Sequence, residues 1–326
     1  MSLREYPYAS QLRQELGIRN RRFARGRAHV ESYGNPPVVV YAPEEGRHGN
    51  FFDAAYKAVC GKPEWMKRFD KIHAQGGRAL PKPLESARRW RELDSSMSSD
   101  ALLMNVFCTP GVDESDDVRR MMGIEEGQAP QFGWKARVPL ANGRFDRTEV
   151  DMRWGGLLVE AKLTESDFQS REAAVVEAYR DLDAVFERDL LPRVELLMGR
   201  RRSAAEFPEE YSQEEEFVAP EDWQPTLLEP VQETGEGYAG YQLIRNVLAA
   251  YAQEASFCVI HDARRPDLQE AWFQVMAAVK SASMRSRLKV LTWQELDLVL
   301  PPALKEFLDL KYGIVPPGER PSAIEE

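Results

Sequence analysis

The sequence predicts a mixed α/β fold: a leading helix, three consecutive strands, then alternating helices and strands. Three observations predict it. Residues 134–163 read as three β-prone runs separated by Asn142-Gly143 and Gly155-Gly156, dipeptides that close tight hairpin turns. Ser98 and Ser99 are good N-caps before the strongly apolar run from Ala101 to Phe107. After Tyr238 the apolar spacing alternates between helical and strand periods.

Taken in order, residues 1–97 read as a mostly helical elaboration, broken at Asn35-Pro36-Pro37, Gly61-Lys62-Pro63 and Gly76-Gly77, with one short strand from Val38 to Tyr41. The leading core helix follows and ends near Pro110. Strands are expected at Trp134–Leu140, Arg147–Trp154 and Leu157–Leu163. Ser166-x-x-Gln169 reads as a capping box opening a long helix towards Met198. Residues 199–236 are Pro-rich, acidic and aperiodic, which predicts a loop-rich insertion. The run YQLIRNVLAAYA then places Leu243, Val247 and Ala250 at core spacing on a helix. A strand at Phe257–His261, a helix at Pro266–Ala282, a strand at Leu288–Thr292 and a helix at Pro302–Tyr312 complete the order αβββα(insert)αβαβα. The core thus spans 98–315, with a tail at 316–326.

Composition narrows the class. A chain of 326 residues with 43% hydrophobic content can bury one large core or two modest ones. No run approaches the ~18 apolar residues of a membrane span, and the charged N-terminus lacks an apolar signal core. Cys60, Cys108 and Cys258 are scattered without a CxxC pair, which disfavours disulfides and a thiolate zinc site. A cytoplasmic protein is expected. A net charge of −10 argues against a nonspecific nucleic-acid coat. Local basic strips nonetheless occur at Arg19, Arg21, Arg22, Arg25 and Arg27, at Arg200–Arg202, and at Arg264, Arg265, Arg285, Arg287 and Lys289. Each reads either as a phosphate contact or as an ordinary solvated face.

The chemistry concentrates in TEVDMRWGGLLVEAKL, Thr148 to Leu163. A two-residue turn at Gly155-Gly156 pairs Trp154 with Leu157. Counting back sets Asp151 opposite Glu160 and Glu149 opposite Lys162, all on one face. The other face carries Val150, Met152, Trp154, Leu157, Val159, Ala161 and Leu163. Directly opposed carboxylates cost roughly 0.2–1 kcal/mol, a repulsion that a bound cation removes. The pattern therefore predicts a metal site at Asp151 and Glu160. The competing reading is a solvated face with a Glu149–Lys162 ion pair.

Asp, a β-turn, then Glu-x-Lys resembles the signature of the PD-(D/E)xK nuclease superfamily, with Asp151, Glu160 and Lys162 at its three positions and Val150 where the family name has proline. The resemblance covers roughly residues 98–162 and 238–292 and implies a restriction-endonuclease-like αβββαβ core. It further implies that Asp151 and Glu160 hold Mg²⁺, or Mn²⁺, and that Lys162 positions or activates the attacking water. Relatives place a glutamine or a basic residue on the helix after the catalytic strand, which brings in Gln242 as a fourth catalytic residue and Arg245 as a secondary candidate. Glu149 is a supporting ligand or the partner of Lys162. SSDALLMNVF resembles the leading core helix of such proteins, so Asp100 and Asn105 are further secondary candidates.

The implied function is a metal-dependent endonuclease hydrolysing DNA, with RNA as another substrate class and a homodimer as one way to cut both strands. The alternative is a catalytically inactive nucleic-acid-binding or interaction protein on the same fold. A small-nucleotide phosphohydrolase would require an enclosed pocket.

Overall fold

Gly155 adopts φ +59°, so the chain reverses in two residues and Trp154 pairs with Leu157, Arg153 with Leu158 and Met152 with Val159. This hairpin is the centre of the computed structural model, which describes residues 7–72, 90–125, 128–197 and 234–323.

The N-terminal part comprises α1 (Pro7–Phe23), β1 (His29–Glu31), β2 (Val39–Tyr41), β3 (Pro43–Glu44), β4 (Arg47–His48), α2 (Asp53–Gly61) and α3 (Pro63–Phe69). The break expected at Gly61-Lys62-Pro63 separates α2 from α3, with Pro63 at the first helical position, where its missing N–H costs nothing. Then come α4 (Ser99–Phe107), α5 (Asp116–Met122), β5 (Gln131–Pro139), β6 (Phe145–Trp154) and β7 (Leu157–Ala161). A small excursion follows: β8 (Ser170–Glu172), α6 (Ala173–Val176), α7 (Leu182–Val185), β9 (Arg193–Leu197) and β10 (Thr234–Ala239). The chain ends with α8 (Tyr241–Ala252), β11 (Ser256–His261), α9 (Pro266–Ala277), α10 (Ala282–Arg285), β12 (Leu288–Thr292), α11 (Trp293–Asp297) and α12 (Pro302–Tyr312).

The main sheet has five strands in the order β12-β11-β7-β6-β5. β5, β6 and β7 run antiparallel, whereas β7, β11 and β12 are parallel. This is the mixed α/β, restriction-endonuclease-like architecture expected from the sequence. β7 is buried on both faces, as a strand inside a layered fold must be. On one side Leu158, Phe257 and Val259 pack with Leu243, Ile244 and Val247 of α8 and Trp272 of α9. On the other, Met152, Trp154, Val159 and Ile260 meet Leu102, Leu103, Val106 and Phe107 of α4, Leu12 and Leu16 of α1, and Leu304 and Leu308 of α12. Each large side chain buried here contributes roughly 1.5–3 kcal/mol.

Three expectations are corrected. The long helix from Ser166 towards Met198 does not form; β8, α6, α7 and β9 occupy that stretch. Its donors are drawn to other parts of the chain: β8 and β9 both pair with β10, Arg180 N–H bonds Pro139 O, and Glu187 N–H bonds Ala278 O. Asp167 Oδ1 accepts from Gln169 N–H at 2.7 Å, closing a local turn in place of a helix cap. Strand β10 begins at Thr234, inside the expected insertion, whose residues 198–233 lie outside the described ones, as do Arg200–Arg202 and Gly76-Gly77. Finally, Val150 does not join Met152 and Trp154 but packs with Ala136, Val138 and Leu158. Between Phe132↔Met152 and Trp134↔Val150 the ladder is interrupted, and Gly133 there adopts φ +60°. A left-handed residue re-aims the strand, and this break falls opposite Asp151.

Candidate functional site

The antiparallel pairing of β6 with β7 stops at Val159, and the next residues turn their polar groups into an open basin of ≈ 630 Å³. With no strand partner left, Ala161 N–H donates to Asp151 Oδ2 at 2.8 Å. On the other edge Lys162 N–H continues the parallel ladder to Ile260 O at 2.8 Å. Asp151, Glu160 and Lys162 all line the basin, with Glu160 2% and Lys162 5% exposed.

Glu160 is held from two sides. Lys162 Nζ donates to Oε1 at 2.7 Å, and Asn246 Nδ2 of α8 donates to Oε2 at 2.8 Å. Lys162 therefore pairs with Glu160 and not with Glu149, correcting the cross-strand pair expected from register. The cause is the end of the ladder at Val159, which frees Lys162 to turn back along its own strand. Burial alone would lower the Lys162 pKa, but Glu160, Glu165 and Asp151 outweigh it and raise it above the ordinary value. The Asp151 carboxyl is raised too, which for a carboxylate disfavours the charged form. Burial, then the neighbouring charges of Glu160 and Asp100, push it well above the usual range.

Glu149 and Asp100 meet a different cation. Arg68 of α3, 6% exposed, sends Nη1 to Glu149 Oε1 at 2.6 Å and Nη2 to Asp100 Oδ2. Lys71 Nζ also reaches Glu149, at 2.9 Å. Gly133 makes room for this: a Cβ there would lie 3.1 Å from Arg68 Cδ. Burial would raise Glu149, yet the bonds and charges of Lys71 and Arg68 hold its pKa below the ordinary carboxylate value. Burial pushes Asp100 up to about 6 despite Arg68.

Gln242 and Arg245, one turn apart on α8, also line the basin. Gln242 Oε1 and Arg245 Nε are buried atoms without a hydrogen-bond partner. Asn105 does not join them. Its Nδ2 bonds Asn50 O at 3.0 Å and Ala101 O at 2.8 Å, and its Oδ1 takes Phe52 N–H at 2.6 Å, so it fastens α4 to the N-terminal part.

The sequence did not point to Arg68, Asn246 or Arg13. Asn246 had one available signal, a polar residue on the apolar face of α8 one turn after Gln242. Arg68 and Arg13 had none, since each is an ordinary basic residue on a distant helix. Arg13 donates from Nε and Nη2 to Thr164 O, at 3.0 and 2.6 Å, and so braces the loop after β7.

The basic strips prove mostly structural where they are described. Arg19 bonds Glu15, Asp309 O and Ser322 O. Arg264 is committed to Asp262, Glu15 and Tyr312 O. Arg265, fully buried, binds the carbonyls of Leu163, Glu165 and Ser166. Arg285, Arg287 and Lys289 bond the carbonyls of Val279, Ala255 and Met122.

Among the described residues, no three His, Cys, Asp or Glu side chains sit together closely enough to hold a metal ion, and no helix is long and apolar enough to cross a membrane. Residues 18–313 match the family described as "Restriction Endonuclease associating with ARP". No curated protein and no solved structure gives a match.

Proposed function

The chain belongs to the family described as restriction endonuclease associating with ARP, and we propose that it is a divalent-metal-dependent DNA nuclease of the PD-(D/E)xK type, acting through Asp151, Glu160 and Lys162. One observation carries the reading. Two carboxylates and a lysine, with Glu160 and Lys162 buried and Asp151 half-buried, line one open basin at the end of the central hairpin. The openness also speaks against a small-nucleotide hydrolase, which needs enclosure.

The donor set fits a hard cation that retains water. Asp151 Oδ1 accepts no hydrogen bond from the described residues, while Oδ2 is fixed by Ala161 N–H. Each Glu160 oxygen takes one donor and keeps a second lone-pair direction. Two carboxylates with solvent filling the remaining positions suit Mg²⁺ or Mn²⁺, which bind through one or two carboxylates and keep several waters. Such an ion, when bound, polarises a phosphoryl oxygen and lowers the pKa of water.

The chain's own residues supply the rest. Lys162 Nζ is tied to Glu160 at 2.7 Å, which suits it to act as a fixed cation beside the developing charge on phosphate. Arg245 and Gln242 line the same basin, each with one buried polar atom lacking a hydrogen-bond partner among the described residues, and are assigned to phosphate and water positioning. Glu149, committed to Arg68 and Lys71, is assigned to holding those cations in place. The family description names ARP as an associate, and a complex of this chain with that partner is part of the proposal.

The test is cleavage of labelled duplex, single-stranded and branched DNA, and of RNA, with Mg²⁺ or Mn²⁺. Asp151→Ala and Lys162→Ala proteins, checked for folding, should each lose at least ~10²–10³-fold in rate. Cutting that survives both substitutions would discard this site and leave a binding protein on the same fold as the better reading.

A further inference from the structure

Two pairs among the acidic side chains that line the basin, Asp151 with Glu160 and Asp100 with Glu149, are neutralised differently. Asp151 and Glu160 face one lysine, which bonds only Glu160. Asp100 and Glu149 are bridged by a single guanidinium, Arg68, whose two terminal nitrogens take one carboxylate each. A planar guanidinium with two separate donor arms spans two carboxylates much as a divalent ion would, but it is permanently charged and fixed in place.

We propose that Arg68 is a built-in second cation: it occupies the position between Asp100 and Glu149 and thereby restricts the basin to a single divalent ion at Asp151 and Glu160. The inference rests on the metal reading of that pair. Three features support the role for Arg68. It is 6% exposed, so it is part of the site's wall and not a mobile surface arginine. Gly133 takes a left-handed conformation, and any side chain there would press on Arg68 Cδ at 3.1 Å. Among the described residues Arg68 is also the only ion-pair partner of Asp100, whereas Glu149 is shared with Lys71.

The role differs from ordinary structural bracing in what it predicts. A brace affects stability alone; a cation surrogate sets how many metal ions bind. The experiment is Mn²⁺ titration of the full chain, with bound ions counted by electron paramagnetic resonance and calorimetry, in the absence of nucleic acid. Wild type should take up one ion per chain. Arg68→Met should take up more than one, because Asp100 and Glu149 lose their shared cation, and Arg68→Gln, which keeps hydrogen-bonding arms without the charge, should do the same. Arg68→Lys should stay at one. Two ions in wild type, or one in both neutral variants, would overturn the proposal while leaving the Asp151–Glu160 metal pair standing. No Mn²⁺ in wild type, with Asp151→Ala indistinguishable from it, would instead remove the metal reading beneath.

Discussion

Replacing Asn246 by alanine should show how much the proposed chemistry depends on one amide. Its Nδ2 is the donor that fixes Glu160 Oε2 from α8, and the side chain is fully buried. Losing it leaves a buried carboxylate oxygen unsatisfied, at a cost of about 1–3 kcal/mol, measurable as a lower urea midpoint. In cleavage assays kcat should fall more than KM rises, because Glu160 loses its fixed orientation while the basin's cations remain. Asp297 carries a pH prediction. Both of its carboxylate oxygens are buried without partners, and burial pushes its pKa from 3.8 up to about 6. A carboxyl raised on folding binds its proton more tightly in the native state. Its contribution to stability is therefore complete below 3.8 and lost as pH rises through about 6. Allowing for solvent screening, the loss is about 1 kcal/mol. Asp297→Asn should flatten that part of the stability–pH curve, read by denaturant titration between pH 4 and ~8.

At the scale of elements, the hairpin was legible because two independent local signals agreed: a Gly-Gly turn and β-prone runs on both flanks. The final helix, Pro302–Tyr312, was legible to the residue for a similar reason, with Pro302 at its start and Gly313 at its left-handed end. The segment after β7 was misread because Ser166-x-x-Gln169 has the spacing of a capping box, while the donors of Arg180 and Glu187 are claimed by the distant carbonyls of Pro139 and Ala278. Such claims are invisible to a local window. The same limit applies to the candidate site: Asp151, Glu160 and Lys162 lie within one hairpin, but Arg68, Arg13 and Asn246 arrive from helices far along the chain. The loop after β7 offers a test of this dependence. Arg265 holds the carbonyls of Leu163, Glu165 and Ser166 and pairs with Asp267. Arg265→Met leaves a half-buried carboxylate and three carbonyls without their donor, so unfolding should become easier by about 1–3 kcal/mol. Hydrogen exchange should locate the loosening at residues 163–167.

For the molecule as a whole, a net charge of −10 and the commitment, among the described residues, of Arg19, Arg264, Arg265, Arg285 and Arg287 to internal carbonyls limit the cations offered to a polyanion. Arg147 and Arg245 line the basin, so binding of DNA by Asp151→Ala should depend only mildly on salt. At about −0.9 per phosphate contacted, the slope of log K against log salt should lie near −2 to −4, measured by fluorescence anisotropy. A much steeper slope would place the contact surface elsewhere. The antiparallel pair of β9 and β10 has a further consequence. Leu197 and Thr234 are register partners, so the two described residues that flank 198–233 lie side by side. The protein is thus topologically open to surgery there. Excising the segment and joining the strands by a tight turn should leave the sheet intact, checked by circular dichroism and by a urea midpoint no lower than that of the full chain. The same junction is the place to insert a reporter domain without touching the basin.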